Sequence, residues 1–195
     1  MGLLPPFNAD GLLPYQDYEL TIEQLKVCHL ITGVHSQSPD NWDSAWRLQL
    51  VQNAEILINQ LWQLDPELIG GIYLDGSFVE DKSHTNDIDG YFECDFWYLA
   101  NGHLKDDLNA LDPHKIWIWD PDSRKPYRNY AKCQLPMWFQ YRVELYPHFH
   151  SSPVGEGPLT GIISASGKNQ LFPEAFRKCR QSDTPKGIIK IKKEA

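Results

Sequence analysis

Between residues 68 and 99 the sequence reads as two apolar strands joined by a polar connection, and this limits the possible folds more than any other stretch. LIGGIYLDG is short, aliphatic and aromatic, as expected of a buried strand. DIDGYFECDFWYL then alternates. Ile88, Phe92, Cys94, Phe96 and Tyr98 fall on one face, and Asp87, Asp89, Tyr91, Glu93, Asp95 and Trp97 on the other. Side chains two apart on a strand project together, about 6.5–7 Å from one another. The sheet that holds this strand must therefore accommodate two aspartates, Asp87 and Asp89, side by side. Each disfavours the ionised form of the other unless a cation joins them. A solvated edge strand is the plain reading, and a divalent cation site is the sharper one.

The remaining pattern predicts an α+β domain with a mixed or largely antiparallel sheet flanked by helices. Residues 1–20, rich in Pro, Gly, Asn and Asp, read as an extended arm, and residues 21–195 as a single domain. Thr21 stands three residues before Gln24, the spacing of a capping box, so a short helix follows. From Trp42 to about Leu64, Trp46, Leu50, Ala54, Leu57 and Leu61 recur at helical steps, and the helix ends before Pro66. Residues 78–86 read as polar loop or a brief helix. KIWIWD predicts a strand, PDSRKP a turn, and MWFQYRVELYPHF a second alternating strand. GPLTGIISASGKN is loop-like, FPEAFRKCRQ a short helix, and PKGIIKIKK a last strand.

Composition excludes several classes. Hydrophobic residues make up 42% and charged residues 23%, which places the chain outside the disordered regime. The four cysteines are far apart with no CxxC pair, so they are expected to be reduced and mostly buried. No basic start or apolar h-region is visible, and no run reaches the length of a membrane span; the expectation is a cytoplasmic protein with no membrane partner. Residues 168–195 carry eight of the 18 Lys and Arg against three acids, so the rest of a chain of net charge −8 is strongly acidic. An acidic body argues against broad nucleic-acid binding, while the tail leaves room for a local contact with RNA or phosphate, or is simply a solvated face.

Magnesium suits the aspartate pair. It takes hard oxygen ligands and is typically held by one or two carboxylates together with substrate phosphates. Gly76 and Ser77, at the end of the preceding strand, let backbone amides and a hydroxyl approach phosphate. No GxxxxGK[ST] or GxGxxG is present. GSFVEDKSHTNDID resembles the signature of the DNA polymerase β-like nucleotidyltransferase superfamily, in which Gly-Ser is followed, after a spacer, by Asp-apolar-Asp opening a strand. Here nine residues separate Ser77 from Asp87. With Lys82 and Asn86 included, and with the ends LPPFNADGLLPYQDYELT and PKGIIKI, the chain looks like the small, mostly prokaryotic nucleotidyltransferase-like families of unknown substrate.

That resemblance implies Asp87 and Asp89 as metal-holding catalytic residues for one or two Mg2+ ions. It implies Gly76 and Ser77 as a phosphate cradle with Lys82 nearby, and a third carboxylate from a neighbouring strand. Glu144 is the candidate for the third, beside Arg142 in QYRVELYP. Glu93 and Asp95 are alternatives, and an ion pair is the plain reading of Glu144. Arg124, Lys125 and Arg128 form a basic turn able to touch nucleotide or acceptor. His84 lies in the loop, and His148 and His150 share a face without further zinc ligands. The implied reaction is transfer of an NMP from an NTP, such as ATP, to a hydroxyl on RNA, protein or a small molecule. Small members of the superfamily often act as toxins with an antitoxin partner. The alternatives are an inactive nucleotide-binding or protein-interaction module of the same fold, and a phosphohydrolase in which water is the acceptor.

Overall fold

A computed structural model describes residues 2–130, 132–149, 161–163 and 169–194. Its helices begin where the sequence offers caps. In Thr21, Oγ1 accepts from the Gln24 amide at 3.2 Å, while Gln24 Oε1 accepts from the Thr21 amide at 3.0 Å, and α1 (Ile22–Val27) follows. A break at Cys28 separates it from α2 (His29–Thr32). Asp43 caps α3 (Ser44–Leu61) by accepting from the Trp46 amide at 3.1 Å. Leu50, Val51, Ala54, Leu57, Ile58 and Leu61 lie buried along one side of α3, the stripe its periodicity predicts. The helix ends three residues before the predicted Leu64, so Pro66 is not what stops it.

Five strands form one mixed sheet: β1 (Asp17–Thr21), β2 (Ile69–Asp75), β3 (Ile88–Cys94), β4 (Val143–Phe149) and, last in the chain, Ile188–Lys192. A separate hairpin, β5 (Gly161–Ile163) with β6 (Asn169–Leu171), makes the last strand β7. The sheet order is β1-β7-β2-β3-β4, with parallel outer pairs and antiparallel inner ones. One face carries Leu74, Ile88, Val143 and Leu145, all fully buried in a single hydrophobic core that includes α3. On the other, Tyr73 stacks on Tyr91 and Tyr146 on Phe172, so that face is partly covered by α7 (Phe172–Ala175) and Phe176. The chain is thus a single α+β domain. Among the described residues no helix is long and apolar enough to cross a membrane.

Several segments depart from the sequence expectation. β3 stops at Cys94, because Asp95 Oδ1 accepts from the Tyr98 amide at 2.8 Å and caps α4 (Phe96–Ala100), followed by the unanticipated α5 (His103–Leu111). Pro136, whose fixed φ and missing donor suit a first helical position, opens α6 (Pro136–Tyr141) where an alternating strand is predicted. Arg142, at φ 55°, ends it, and β4 starts only at Val143. KIWIWD joins no ladder: the Asn109 side chain satisfies both the Trp117 amide and its carbonyl, and the Trp117 and Trp119 indoles donate to Gln60 and to the Leu145 carbonyl. Part of the predicted loop GPLTGIISASGKN is the β5–β6 hairpin. Residues 2–16 contain no helix or strand, yet Leu4, Leu12 and Leu13 are buried. All four thiols are free, but only Cys28 and Cys94 are buried; Cys133 is exposed and Cys179 half-buried.

Candidate active site

Pairing across three strands sets the central geometry. Asp75 of β2 lies opposite Asp89 of β3, and Asp89 lies opposite Glu144 of the parallel neighbour β4. Directly opposed residues share a face with Cβ atoms about 5 Å apart, so the three acids form one row across the sheet. Asp87, one residue before β3, accepts a hydrogen bond from Trp138 Nε1 at 2.7 Å. Burial raises its carboxyl above the usual range. Asp89 closes no hydrogen bond or ion pair among the described residues. Burial, and next to it the charge of Asp87, push its carboxyl up to about 7.

Glu144 is held differently. It meets Lys132 Nζ at 2.9 Å and Arg124 Nη1 at 3.5 Å, accepts from the Leu135 amide at 2.8 Å, and is bonded by the Tyr146 hydroxyl. Burial alone would raise its pKa, but Lys132 and the amide more than offset it, and the carboxyl stays below the ordinary range. The two alternative acids lie outside the row. Glu93 accepts from the Gly71 amide at 2.9 Å further along the strand, and Asp95 is the α4 cap.

The Gly76–Ser77 turn is fixed from three sides. Gly76 has φ 79°, and a Cβ there would meet Asp89 Oδ2 at 3.0 Å, so glycine is needed both for the backbone and for the space. The Ser77 hydroxyl pairs with Thr85 Oγ1, which donates to the Asp87 carbonyl at 3.1 Å and so ties the turn to the start of β3. Lys186, buried, donates to the Gly76 carbonyl at 2.9 Å and to Glu80 at 2.8 Å, and stands 3.3 Å from Asp75 Oδ2. Burial pushes the Asp75 carboxyl up to about 7 against the pull of Lys186. Behind the turn, fully buried Arg47 donates to the carbonyls of Leu30, Phe78, Glu80 and Lys82 and stacks 3.9 Å over Trp42. Burial lowers its pKa to about 10.

Of the other sequence candidates, Lys82 is paired with Glu80 at 2.6 Å, and His84 with Asp43 at 2.9 Å. Arg124 enters the Glu144 cluster and also donates to the Tyr146 hydroxyl, while Lys125 and Arg128 are exposed and Arg142 stacks on Trp138. His148 is buried edge-on to Tyr91, and His150 lies outside the described residues. Asp75, Lys132 and Lys186 escape sequence reasoning. Only Asp75 left a signal, as a third acid directly before the Gly-Ser pair.

A pocket of about 270 Å³ opens onto Asp75 and Asp89, while Glu144 and Asp87 do not line it. Asp75, Gly76, Ser77 and Asp89 line it together with Phe176, Lys178, Arg180, Lys132 and Tyr146. Among the described residues no group of three or more His, Cys, Asp or Glu side chains is arranged to hold a metal ion. The pocket nevertheless fits magnesium in the manner of sites that keep waters or substrate phosphates. Its donors are hard carboxylate oxygens, Asp89 has no hydrogen bond or ion pair among the described residues, and Gly76 places no side chain against it.

Over residues 5–192 the chain matches the model of a family described as a family of unknown function (DUF6932), and it belongs to that family. No curated protein and no solved structure matches it.

Proposed function

We propose that the protein is a magnesium-dependent nucleotidyltransferase of the polymerase β-like type, moving an NMP from an NTP to a hydroxyl acceptor. The observation that carries this reading is Asp89: a partnerless carboxylate beside Asp87 and Glu144, at a pocket lined by Gly76 and Ser77. The order of parts, Gly-Ser after one strand, Asp-Ile-Asp entering the next and an acid on its parallel neighbour, supports the same reading. Asp87 and Asp89 would hold magnesium, with Glu144 completing the site; the ion supplies charge neutralisation on the triphosphate. Gly76 and Ser77 present backbone to the phosphates, the Ser77 hydroxyl turning from Thr85 to reach them, and Lys82 steers from the turn's outer side. The acceptor oxygen forms a bond to the α-phosphorus, the bond to the bridging oxygen breaks, and pyrophosphate leaves. The hydroxyl proton passes to the Glu144 carboxylate. RNA, protein and small molecules are the acceptor classes, and a toxin-like role with a protein antitoxin in the cytoplasm is the corresponding setting.

The test is incubation with each α-³²P-labelled NTP and Mg2+, offering RNA and lysate as acceptors, beside the double variant Asp87→Ala/Asp89→Ala. Label should move to an acceptor with release of pyrophosphate, and the variant should lose it at least about a hundredfold. Transfer by the double variant at the wild-type rate rejects the assignment. Orthophosphate as product, with water as acceptor, points to a hydrolase. One observation favours a second reading. Glu144 is already satisfied by Lys132 and the Leu135 amide, as in a structural ion pair, and this fits a nucleotide-binding module without turnover. Saturable Mg2+-dependent NTP binding without label transfer selects it.

A further inference from the structure

The row of acids carries its ion pairs at the two ends. Lys186 stands at Asp75 and Lys132 at Glu144, from where its charge also acts on Asp89, and among the described residues neither ammonium closes an ion pair with Asp89. Asp75 is only 2% exposed, lines the pocket, and its Oδ1 has no hydrogen-bond partner among the described residues. A buried carboxylate oxygen left unpaired is costly and rare. Lys186 cannot serve it, because the ammonium has three protons and they meet the Gly76 carbonyl, Glu80 and Asp75 Oδ2. Across the strand pair, half-buried Asp89 closes no hydrogen bond or ion pair among the described residues. Between the two strands Gly76 contributes no side chain, and any Cβ there would press on Asp89 Oδ2.

We infer that Asp75 is itself a cation ligand, and that a divalent, oxygen-preferring ion such as Mg2+ or Mn2+ is held between Asp75 Oδ1 and Asp89. This rests on the metal-dependent reading of the pocket and adds to it a ligand from the strand before the Gly-Ser turn. Two carboxylates without His or Cys select a hard ion over zinc, and so few protein ligands leave positions for water or phosphate. The alternative role of Asp75, a counterion that merely holds Lys186, needs only Oδ2 and leaves Oδ1 without a function.

The experiment is Mn2+ binding to the full chain by electron paramagnetic resonance, with Asp75→Asn and Asp89→Asn compared to wild type. Asparagine keeps an oxygen for Lys186 and removes the charge. Each variant should bind Mn2+ at least about tenfold more weakly, at or above the loss typical of removing a ligand's supporting partner. If Asp89→Asn loses the ion and Asp75→Asn binds as wild type does, Asp75 is not a ligand and only this inference falls. If wild type binds no Mn2+, the metal-dependent reading falls with it. Should Asp75→Asn fail to fold, anomalous diffraction from wild-type crystals soaked in Mn2+ decides. A peak in contact with Asp75 Oδ1 upholds the assignment, and a peak at Asp89 without that contact overturns it.

Discussion

Arg47 and His29 show how single buried groups set the behaviour of the region behind the pocket. Arg47 faces four carbonyls rather than a carboxylate, three of them in the 78–82 segment that follows the Gly-Ser turn. Arg47→Met would leave those acceptors buried and unpaired, and should destabilise the fold by about 3–5 kcal/mol in urea unfolding. A loss within 1 kcal/mol would mean that the segment finds other donors. His29 lies edge-on to Phe7 and His35, with Nε2 unpartnered among the described residues. Burial, followed by the charges of His35 and Arg47, holds its pKa down at about 4. Unfolded, the ring titrates near about 6.5, so between these values the unfolded chain binds more protons and stability falls as pH falls. The effect should reach roughly 3 kcal/mol by pH 4, and His29→Leu should remove that part of the slope from melts taken between pH 7 and 4. At this scale the sequence was only partly legible. Asp87 and Asp89 announce themselves by spacing, whereas a buried Lys186 or Arg47 looks like any surface cation until its partners arrive from distant segments.

Among the elements, caps explain both what could be read and what could not. Thr21 and Gln24 mark the start of α1 because a capping box is wholly local. Asp95 is also a cap, but it sits inside an apolar alternation that reads equally well as continued strand, and only its bond to the Tyr98 amide ends β3. Asp95→Ala should cost about 1 kcal/mol by chemical denaturation, the usual price of a lost N-cap. No measurable change would show that α4 is held by packing alone. The stretch MWFQYRVELYPHF failed for a related reason. Pro136 and the left-handed Arg142 divide it into a helix and a strand, and period-2 alternation of aromatic residues does not register either event. Where tertiary partners replace the ladder, as Asn109 does for Trp117, no local pattern predicts the outcome.

For the whole molecule, the uneven charge of the sequence is largely resolved by pairing. Arg177 meets Asp17, Lys190 and Lys192 meet Glu19, Lys178 meets Glu174, and Lys186 meets Asp75 and Glu80. The basic tail is therefore in large part the complement of acids elsewhere in the fold, a relation that composition along the chain cannot display. The sheet makes the same connection, since β7 lies between β1 and β2 and carries buried Ile188, Ile189 and Ile191. Deleting residues 188–194 should abolish the cooperative melt seen by circular dichroism, because it empties an interior strand position; a retained two-state transition would contradict this. Strand order also has a consequence in time. A ribosome delivers β1, β2, β3 and β4 first, yet the gap between β1 and β2 stays open until the residues around Lys186 and β7 have emerged. Until then the Gly76 turn lacks its ammonium anchor, so the nascent polypeptide carries its acids without the frame that positions them, and the pocket forms only once that segment has emerged.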